Sequence, residues 1–262
     1  MPEFDRRFTD KKVVFLDLDG TVYLGDELIP GALAFLDYLR SRGIHFYFLS
    51  NNSSRSKRDY VQKLKRLGVA TSMEQILLST DGVLAFLRQQ RVDQVYVLGT
   101  ASMLEMFAGQ GLNTAAADPA FVVLGFDTEL TYEKLRTAAL HMLKGVPLLA
   151  THPDLVCPTP DGPIPDVGAM LALFETATGL KPRKIFGKPN PEMVQHILQK
   201  HGAQPPEAVM IGDRIYTDME LAFRVGCDSI LVLSGEARRQ DLEDLARQPS
   251  LIAESLGHIL PD

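Results

Sequence analysis

Val13-Val14-Phe15-Leu16-Asp17-Leu18-Asp19-Gly20-Thr21 is the stretch on which the fold turns. Four apolar, strand-favouring residues run straight into a turn of aspartates and glycine. A short unbroken apolar run bounded by turn residues marks a strand buried on both faces, as in a parallel sheet. The pattern recurs along the chain. Ile44 to Leu49 stops at Ser50-Asn51-Asn52, and Lys184-Ile185-Phe186 stops at Gly187-Lys188-Pro189. Ala208 to Ile211 ends at Gly212-Asp213, and Ile230 to Leu233 ends at Ser234. Ligands of open α/β sheets sit outside the carboxyl ends of the strands. These polar strand ends are therefore expected to converge, although long stretches of chain separate them.

Helical patterns lie between the strands. After a turn from Tyr23 to Pro30, Leu33, Leu36, Tyr38 and Leu39 give helical spacing over Gly31 to Ser41, closed by Gly43. Ser53-Ser54-Arg55-Ser56 offers an N-cap to a helix from Lys57 to Leu67, stopped by Gly68. This alternation predicts an α/β protein with a parallel sheet. Between Ser50 and Lys188 lie 137 residues, whereas a parallel crossover needs only about a dozen. That interval has strands of its own, Gln94 to Leu98, Phe121 to Gly125 and Pro147 to Ala150. Its helical patterns fall at Met103 to Ala108, Tyr132 to Leu143 and Val167 to Thr176. The expectation is a discontinuous core, residues 1–80 and 182–262, interrupted by an inserted α/β domain over 81–181 with hinges near Asp81 and Lys181. The core resumes near Pro182 with two further strands and helices at Glu192 to His201 and Met219 to Val225. His258 to Asp262 reads as a frayed tail.

The 262 residues, 45% hydrophobic and 23% charged, are those of an ordinary globular protein with room for two moderate domains. A net charge of −6 argues against a nucleic-acid partner, whose footprint is basic, but leaves a small phosphorylated metabolite open. The opening MPEFDRRFTDKK has no apolar signal core. No apolar stretch approaches the ~20 residues of a membrane helix. The protein reads as cytoplasmic, without a membrane partner, and a homo-oligomer is compatible with its sequence. Cys157 and Cys227 form no CxxC pair, so they read as two buried free thiols in a reducing compartment rather than as a zinc site or a disulfide.

Asp17 and Asp19 stand two apart, which on an extended strand points both carboxylates to one side. Like charges that close call for a cation or a raised pKa. Mg²⁺ suits them, being a hard ion that takes oxygen ligands beside phosphate. Asp213 adds a carboxylate from another strand end, and Asp218 is near enough to touch the metal directly or through a neighbour. Asp17 is then a candidate nucleophile toward phosphorus, and Asp19 a general acid and base. Lys188 supplies a point charge for phosphoryl oxygens. Ser50, with the N–H groups of Asn51 and Asn52, forms a cradle, and Gly20 and Thr21 join the phosphate-binding set. Alone, each motif is equally a solvated turn. Their agreement in order and position favours a site.

Taken together, Asp17-Leu18-Asp19-Gly20-Thr21, Ser50, Lys188 and Gly212-Asp213 through Asp218 resemble the four motifs of the haloacid dehalogenase (HAD) superfamily of phosphatases. The SNNS and GKPNP wording and the phrase ATHPDLVCPTPDGPIPDVGAM are similar to the NagD / p-nitrophenylphosphatase subfamily. The resemblance implies a Rossmann-like parallel-sheet core with an inserted α/β cap of the second type (C2). It also implies Mg²⁺-dependent phosphomonoester hydrolysis through an aspartyl-phosphate. Asp17 would be the nucleophile and Asp19 the acid/base, also binding metal through its carbonyl. Ser50 and Lys188 would hold phosphate, and Asp213 metal. Ser50 stands where many relatives have threonine, which keeps the hydroxyl. Asp19 speaks against dehalogenase activity, and the DKTGT-like motif of transporting ATPases is absent.

Selectivity is expected in the insert, at the loop Thr151-His152-Pro153-Asp154, with Asp166 to Met170 near the return path. His152 and Asp154 are its candidate substrate contacts, set against the plainer reading of a solvated loop histidine. Pro158, Pro160, Pro163 and Pro165 stiffen that loop, and Tyr23 lines the entrance or packs beside it. Nothing in the insert announces a nucleotide, so the expected substrate is a sugar phosphate, phosphoglycolate or p-nitrophenyl phosphate. Two rivals use similar residues. A phosphomutase shares the aspartyl-phosphate, and a receiver-type signalling module also places acids, a hydroxyl and a lysine at strand ends.

Overall fold

The computed structural model describes residues 8–159, 161–243 and 245–260. Residues 1–7, Pro160, Pro261 and Asp262, on which parts of the leader, loop and tail readings fall, lie outside them. In chain order the strands are β1 Val13–Asp17, β2 Tyr23–Leu24, β3 Glu27–Leu28, β4 His45–Ser50, β5 Ile76–Leu78, β6 Val95–Leu98 and β7 Phe121–Leu124. Then follow β8 Leu148–Ala150, β9 Val156–Cys157, β10 Ile164–Pro165, β11 Lys184–Ile185, β12 Ala208–Gly212, β13 Asp228–Val232 and β14 Leu251–Ala253. Two compact units result. One comprises Met1–Ser50, Val61–Leu77 and Pro189–Asp262, and the other Asn51–Tyr60 and Leu78–Lys188.

The first unit holds a six-stranded sheet in the order β14-β13-β12-β1-β4-β5. β1 pairs in parallel with both β12 and β4, and β12–β13 and β13–β14 are also parallel. The chain winds from β1 outward to β4 and β5 on one side, and later to β12, β13 and β14 on the other. This Rossmann-like winding reverses at β1, which makes the carboxyl end of β1 the topological switch point where such sheets bind ligands. Every residue of β1 is buried, as its apolar run requires. Helix Ala32–Ser41 buries Ala32, Phe35, Leu36 and Leu39, the spacing of one apolar helix face. On another layer, Phe15, Tyr47, Leu49 and Met210 pack with Met193, Val194, Ile197 and Leu198 of helix Glu192–Lys200.

The second unit is an α/β module with the parallel order β11-β8-β7-β6. β7 shows why it needs helices on both faces. Val122 and Leu124 pack with Ala138, Met142, Val167 and Phe174, from helices Tyr132–Leu143 and Val167–Thr178. The alternate residues Phe121 and Val123 pack with Val83, Leu87, Met103 and Phe107, from helices Ser79–Gln89 and Ala101–Ala108. Period-two alternation on a strand covered on both sides accounts for the unbroken apolar run.

Several expectations change. Lys184-Ile185 is a strand, but it pairs with Leu149 and Ala150 and belongs to the insert's sheet, not the core's. Asp81 lies inside helix Ser79–Gln89, where its carboxylate accepts the Leu78 N–H at 2.9 Å and pairs with Lys57 at 2.8 Å. Lys181 precedes β11 within the same unit, so neither residue is a hinge between units. The turn from Tyr23 to Pro30 contains the β2–β3 hairpin. Instead of fraying, Leu256–Ile259 forms a 3₁₀ turn with Leu256 and Ile259 buried. Cys157 and Cys227 are free but only partly buried. Among the described residues no helix is long and apolar enough to cross a membrane.

Candidate active site

Asp17 ends β1, and its register partner on β4 is Leu49, so Ser50 lies one residue beyond that pair. Leu16 pairs with Ile211 of β12, and Gly212-Asp213 follow. Sheet register therefore brings these sequence-distant ends side by side in the first unit. Carboxylate oxygens of Asp17, Asp213 and Asp218 lie within 4.8 Å of one another, and all three residues are buried. Three buried carboxylates at that spacing repel one another, a repulsion that a bound cation would offset.

Local backbone chemistry sets each acid. Asp213 accepts the Glu236 N–H at 2.7 Å, while its carbonyl accepts the Ala237 N–H at 3.0 Å. Arg214 and Glu236 form an ion pair at 3.0 Å beside it. Asp218 sits in the π-helical turn Ile215–Met219 and accepts the Arg214 N–H at 3.1 Å. Such turns recur at functional sites; here the widened turn carries a fully buried acid. Glycines make the room. A Cβ on Gly212 would come within 2.3 Å of Asp218 Oδ2, and one on Gly235 within 2.0 Å of Asp213 Oδ2. Gly20 has φ +87°, and its Cβ would meet the same oxygen at 2.4 Å.

Asp19 behaves differently. It is exposed, stands outside the acidic trio, and accepts the Tyr23 hydroxyl at 3.1 Å. Its carboxylate is not one of that group. β1 ends at Asp17, and the carbonyl of Leu18 gathers the N–H groups of Thr21, Val22 and Tyr23 at 2.9–3.3 Å, turning the chain before Asp19. Tyr23 is fully buried, with the Lys63 ammonium 3.7 Å from its ring centroid; it packs and orients Asp19 rather than lining an entrance. The N–H groups of Gly20 and Thr21 are given to Tyr23 O and Leu18 O at 2.8 and 3.3 Å, while the Thr21 hydroxyl is buried without a hydrogen-bond partner. The Ser234 hydroxyl is likewise committed, donating to Gly20 O at 2.7 Å. Ser50 is buried.

Lys188, Asn51, Asn52, His152 and Asp154 belong to the second unit. Lys188 is buried despite its charge. The Asn52 side chain accepts the Ser54 N–H at 2.9 Å and its hydroxyl at 2.6 Å, so it shapes a turn. His152 overturns the solvated reading, being fully buried. Its Nδ1 faces Asp154 at 3.7 Å and its Nε2 faces Asp166 at 3.5 Å. Asp166 also accepts the Val167 N–H at 2.6 Å, capping helix Val167–Thr178. These three residues form a second compact His/Asp group. The two ring nitrogens face different carboxylates, but neither makes a hydrogen bond to them at these distances. The sequence reading paired His152 with Asp154 and placed Asp166 only near the insert's return path, without joining it to the histidine; the fold brings the three together.

A haloacid dehalogenase-like hydrolase profile matches residues 14–113, and a HAD-hydrolase-like profile matches residues 185–259. The crystal structure of a 4-nitrophenylphosphatase from Thermotoga maritima superposes with a TM-score of 0.93 at 40% identity, covering 97% of each chain. The 5′-nucleotidase YutF of Bacillus subtilis is 31% identical over 95% of this chain and 98% of its own. An acid sugar phosphatase of Staphylococcus aureus is 30% identical over 96% and 97%.

Proposed function

Since the chain belongs to the haloacid dehalogenase-like hydrolases, we propose that it is a Mg²⁺-dependent phosphatase of small organic phosphomonoesters that works through an aspartyl-phosphate on Asp17. The observation that carries this reading is the buried Asp17–Asp213–Asp218 trio at the switch point of the sheet. Three hard carboxylate donors with glycine-made space around them fit Mg²⁺. When bound, the ion would neutralise crowded carboxylates and phosphoryl oxygens, with the Asp19 carbonyl as a further ligand suggested by family resemblance.

In the first half-reaction, an Asp17 oxygen attacks phosphorus. The bond from phosphorus to the ester oxygen breaks, and that oxygen leaves with the proton of Asp19. In the second, Asp19 as carboxylate takes a proton from water, whose oxygen attacks phosphorus and breaks the bond to Asp17. Inorganic phosphate leaves, and both aspartates return to their starting states. The Tyr23 hydroxyl bond to Asp19 at 3.1 Å supports this role, because an acid that must serve both halves needs a held position. Ser50, Lys188 and the N–H groups of Asn51 and Asn52 are the proposed phosphate holders, consistent with positioning and charge stabilisation as the main demands of phosphoryl transfer. The second unit, Asn51–Tyr60 with Leu78–Lys188, is proposed as the C2 cap, and free Cys157 and Cys227 accord with a reducing, cytoplasmic setting.

The relatives named as a 4-nitrophenylphosphatase and an acid sugar phosphatase support small phosphomonoesters. A second reading, nucleoside monophosphates, rests on the relative named as a 5′-nucleotidase. A phosphate-release screen over sugar phosphates, phosphoglycolate, nucleoside monophosphates and p-nitrophenyl phosphate separates them. Release should occur without a sugar acceptor, stop in EDTA and return with Mg²⁺. Full turnover in chelator, or transfer only to an acceptor, would overturn the proposal.

A further inference from the structure

The side chain of Asn51 makes three hydrogen bonds inside the second unit, and two of them go to one residue. Its Oδ1 accepts the Lys188 N–H at 2.7 Å, and its Nδ2 donates to the Lys188 carbonyl at 3.0 Å. The amide thus grips both polar groups of Lys188's backbone, as a neighbouring strand would. The other Nδ2 hydrogen goes to Asp154 Oδ1 at 3.0 Å. All of the amide's donors and its oxygen are then engaged.

The surroundings are built for this grip. Asn51 is buried, and its own carbonyl accepts the Ser79 hydroxyl at 2.7 Å. Gly187, just before Lys188, has φ +70°, and a Cβ there would approach Asn51 Oδ1 to 2.6 Å and Thr151 O to 2.9 Å. Only glycine allows the amide so close. Asp154 is itself buried and faces His152. The residue after Ser50 in the chain is therefore hydrogen-bonded to Lys188, and through Asp154 to the loop earlier expected to choose substrates.

We propose that Asn51 is a positioning residue: its side chain fixes Lys188 for phosphoryl binding, with Asp154 orienting the amide, and neither side chain contacts substrate. This deepens the phosphatase reading and rests on the role given there to Lys188. The amide's planar donor–acceptor pair sets the direction in which the Lys188 backbone presents its side chain. Asp154 decides which way that amide faces, since a carboxylate accepts only from the nitrogen end.

The test is a double-mutant cycle, read as the inhibition constant of inorganic phosphate and as KM and kcat for p-nitrophenyl phosphate. Lys188→Met and Asn51→Ala should each weaken phosphate binding, Asn51→Ala by about tenfold, the size of one or two net hydrogen bonds. In the Lys188→Met background, Asn51→Ala should add nothing further. Independent, multiplying losses would overturn the inference and leave the phosphatase reading intact. An unaffected Lys188→Met would instead overturn the role of Lys188 itself. Should Asn51→Ala fail to fold, Asn51→Asp decides. It retains the acceptor for the Lys188 N–H but loses both amide donors, facing the Lys188 carbonyl and the Asp154 carboxylate, so adding Asp154→Asn should recover part of the lost phosphate affinity. No recovery would sink the coupling.

Discussion

Gly235→Ala should damage the acidic trio without touching any acid. The new Cβ would stand 2.0 Å from Asp213 Oδ2, 2.5 Å from its Cγ and 2.8 Å from its Cβ. Rotating the carboxylate relieves the first contact but not the last. Asp213 is also pinned, with Oδ2 bound to the Glu236 N–H and its carbonyl to the Ala237 N–H. The strain must therefore move the Asp213 backbone or the 235–237 turn. Overpacking of this kind costs about 1–3 kcal/mol of stability. A shift of about 1 Å in a catalytic group costs about 100-fold in rate. Gly43→Ala is the matched control. Its φ is +68° with nothing within 4 Å of a Cβ, so it meets only the left-handed backbone penalty of about 1–2 kcal/mol and should keep full activity. Urea unfolding and p-nitrophenyl phosphate hydrolysis across a Mg²⁺ titration separate the two effects. Normal turnover and normal Mg²⁺ dependence in Gly235→Ala would refute the claim that Asp213's placement matters to the reaction.

Other outcomes follow from groups away from the trio. Burial, then the charges of His45 and Lys200, hold the His201 imidazole below its ordinary value, so the folded chain binds fewer protons than the unfolded one. Its contribution is complete above about pH 6.5 and is lost as pH falls through the lower folded value; the urea midpoint should drop over that window, and His201→Gln should flatten the slope. His152→Ala should cost about 2–5 kcal/mol in urea unfolding, by emptying a fully buried site between two acids. A changed KM at unchanged stability would restore it as a substrate contact. Burial pushes the Cys227 thiol up to about 12, so native protein at neutral pH should resist alkylation there until unfolded. Rapid native labelling of Cys227 would contradict that raised thiol pKa.

The sheet was legible wherever a strand is buried on both faces. The apolar run of β1 and its aspartate turn sufficed to place Asp17, and Ala208 to Ile211 likewise announced Asp213. Lys184-Ile185 misled because a two-residue strand says nothing of its partner. Its sheet is decided by pairing with Leu149 and Ala150, a non-local fact. Ile76–Leu78 and Leu251–Ala253 are too short for periodicity to reveal. Helix Ser79–Gln89 was not marked in the sequence; its Gly82 serves packing, since a Cβ there would press on Phe186 at 3.0 Å. The period-two reading assumed an extended strand through both Asp17 and Asp19, but β1 ends at Asp17. His152 looked solvated because the carboxylates that enclose it, one of them fourteen positions on, are joined only by folding.

The central claim is that Asp17 takes the phosphoryl group. Acid-quenching the enzyme during turnover with Mg²⁺ and p-nitrophenyl phosphate, then mapping peptides by mass spectrometry, tests it directly. A phosphoryl adduct should appear on Asp17 and be absent from folded, inactive Asp17→Asn. Full hydrolysis by Asp17→Asn, or an adduct on another residue, would contradict it.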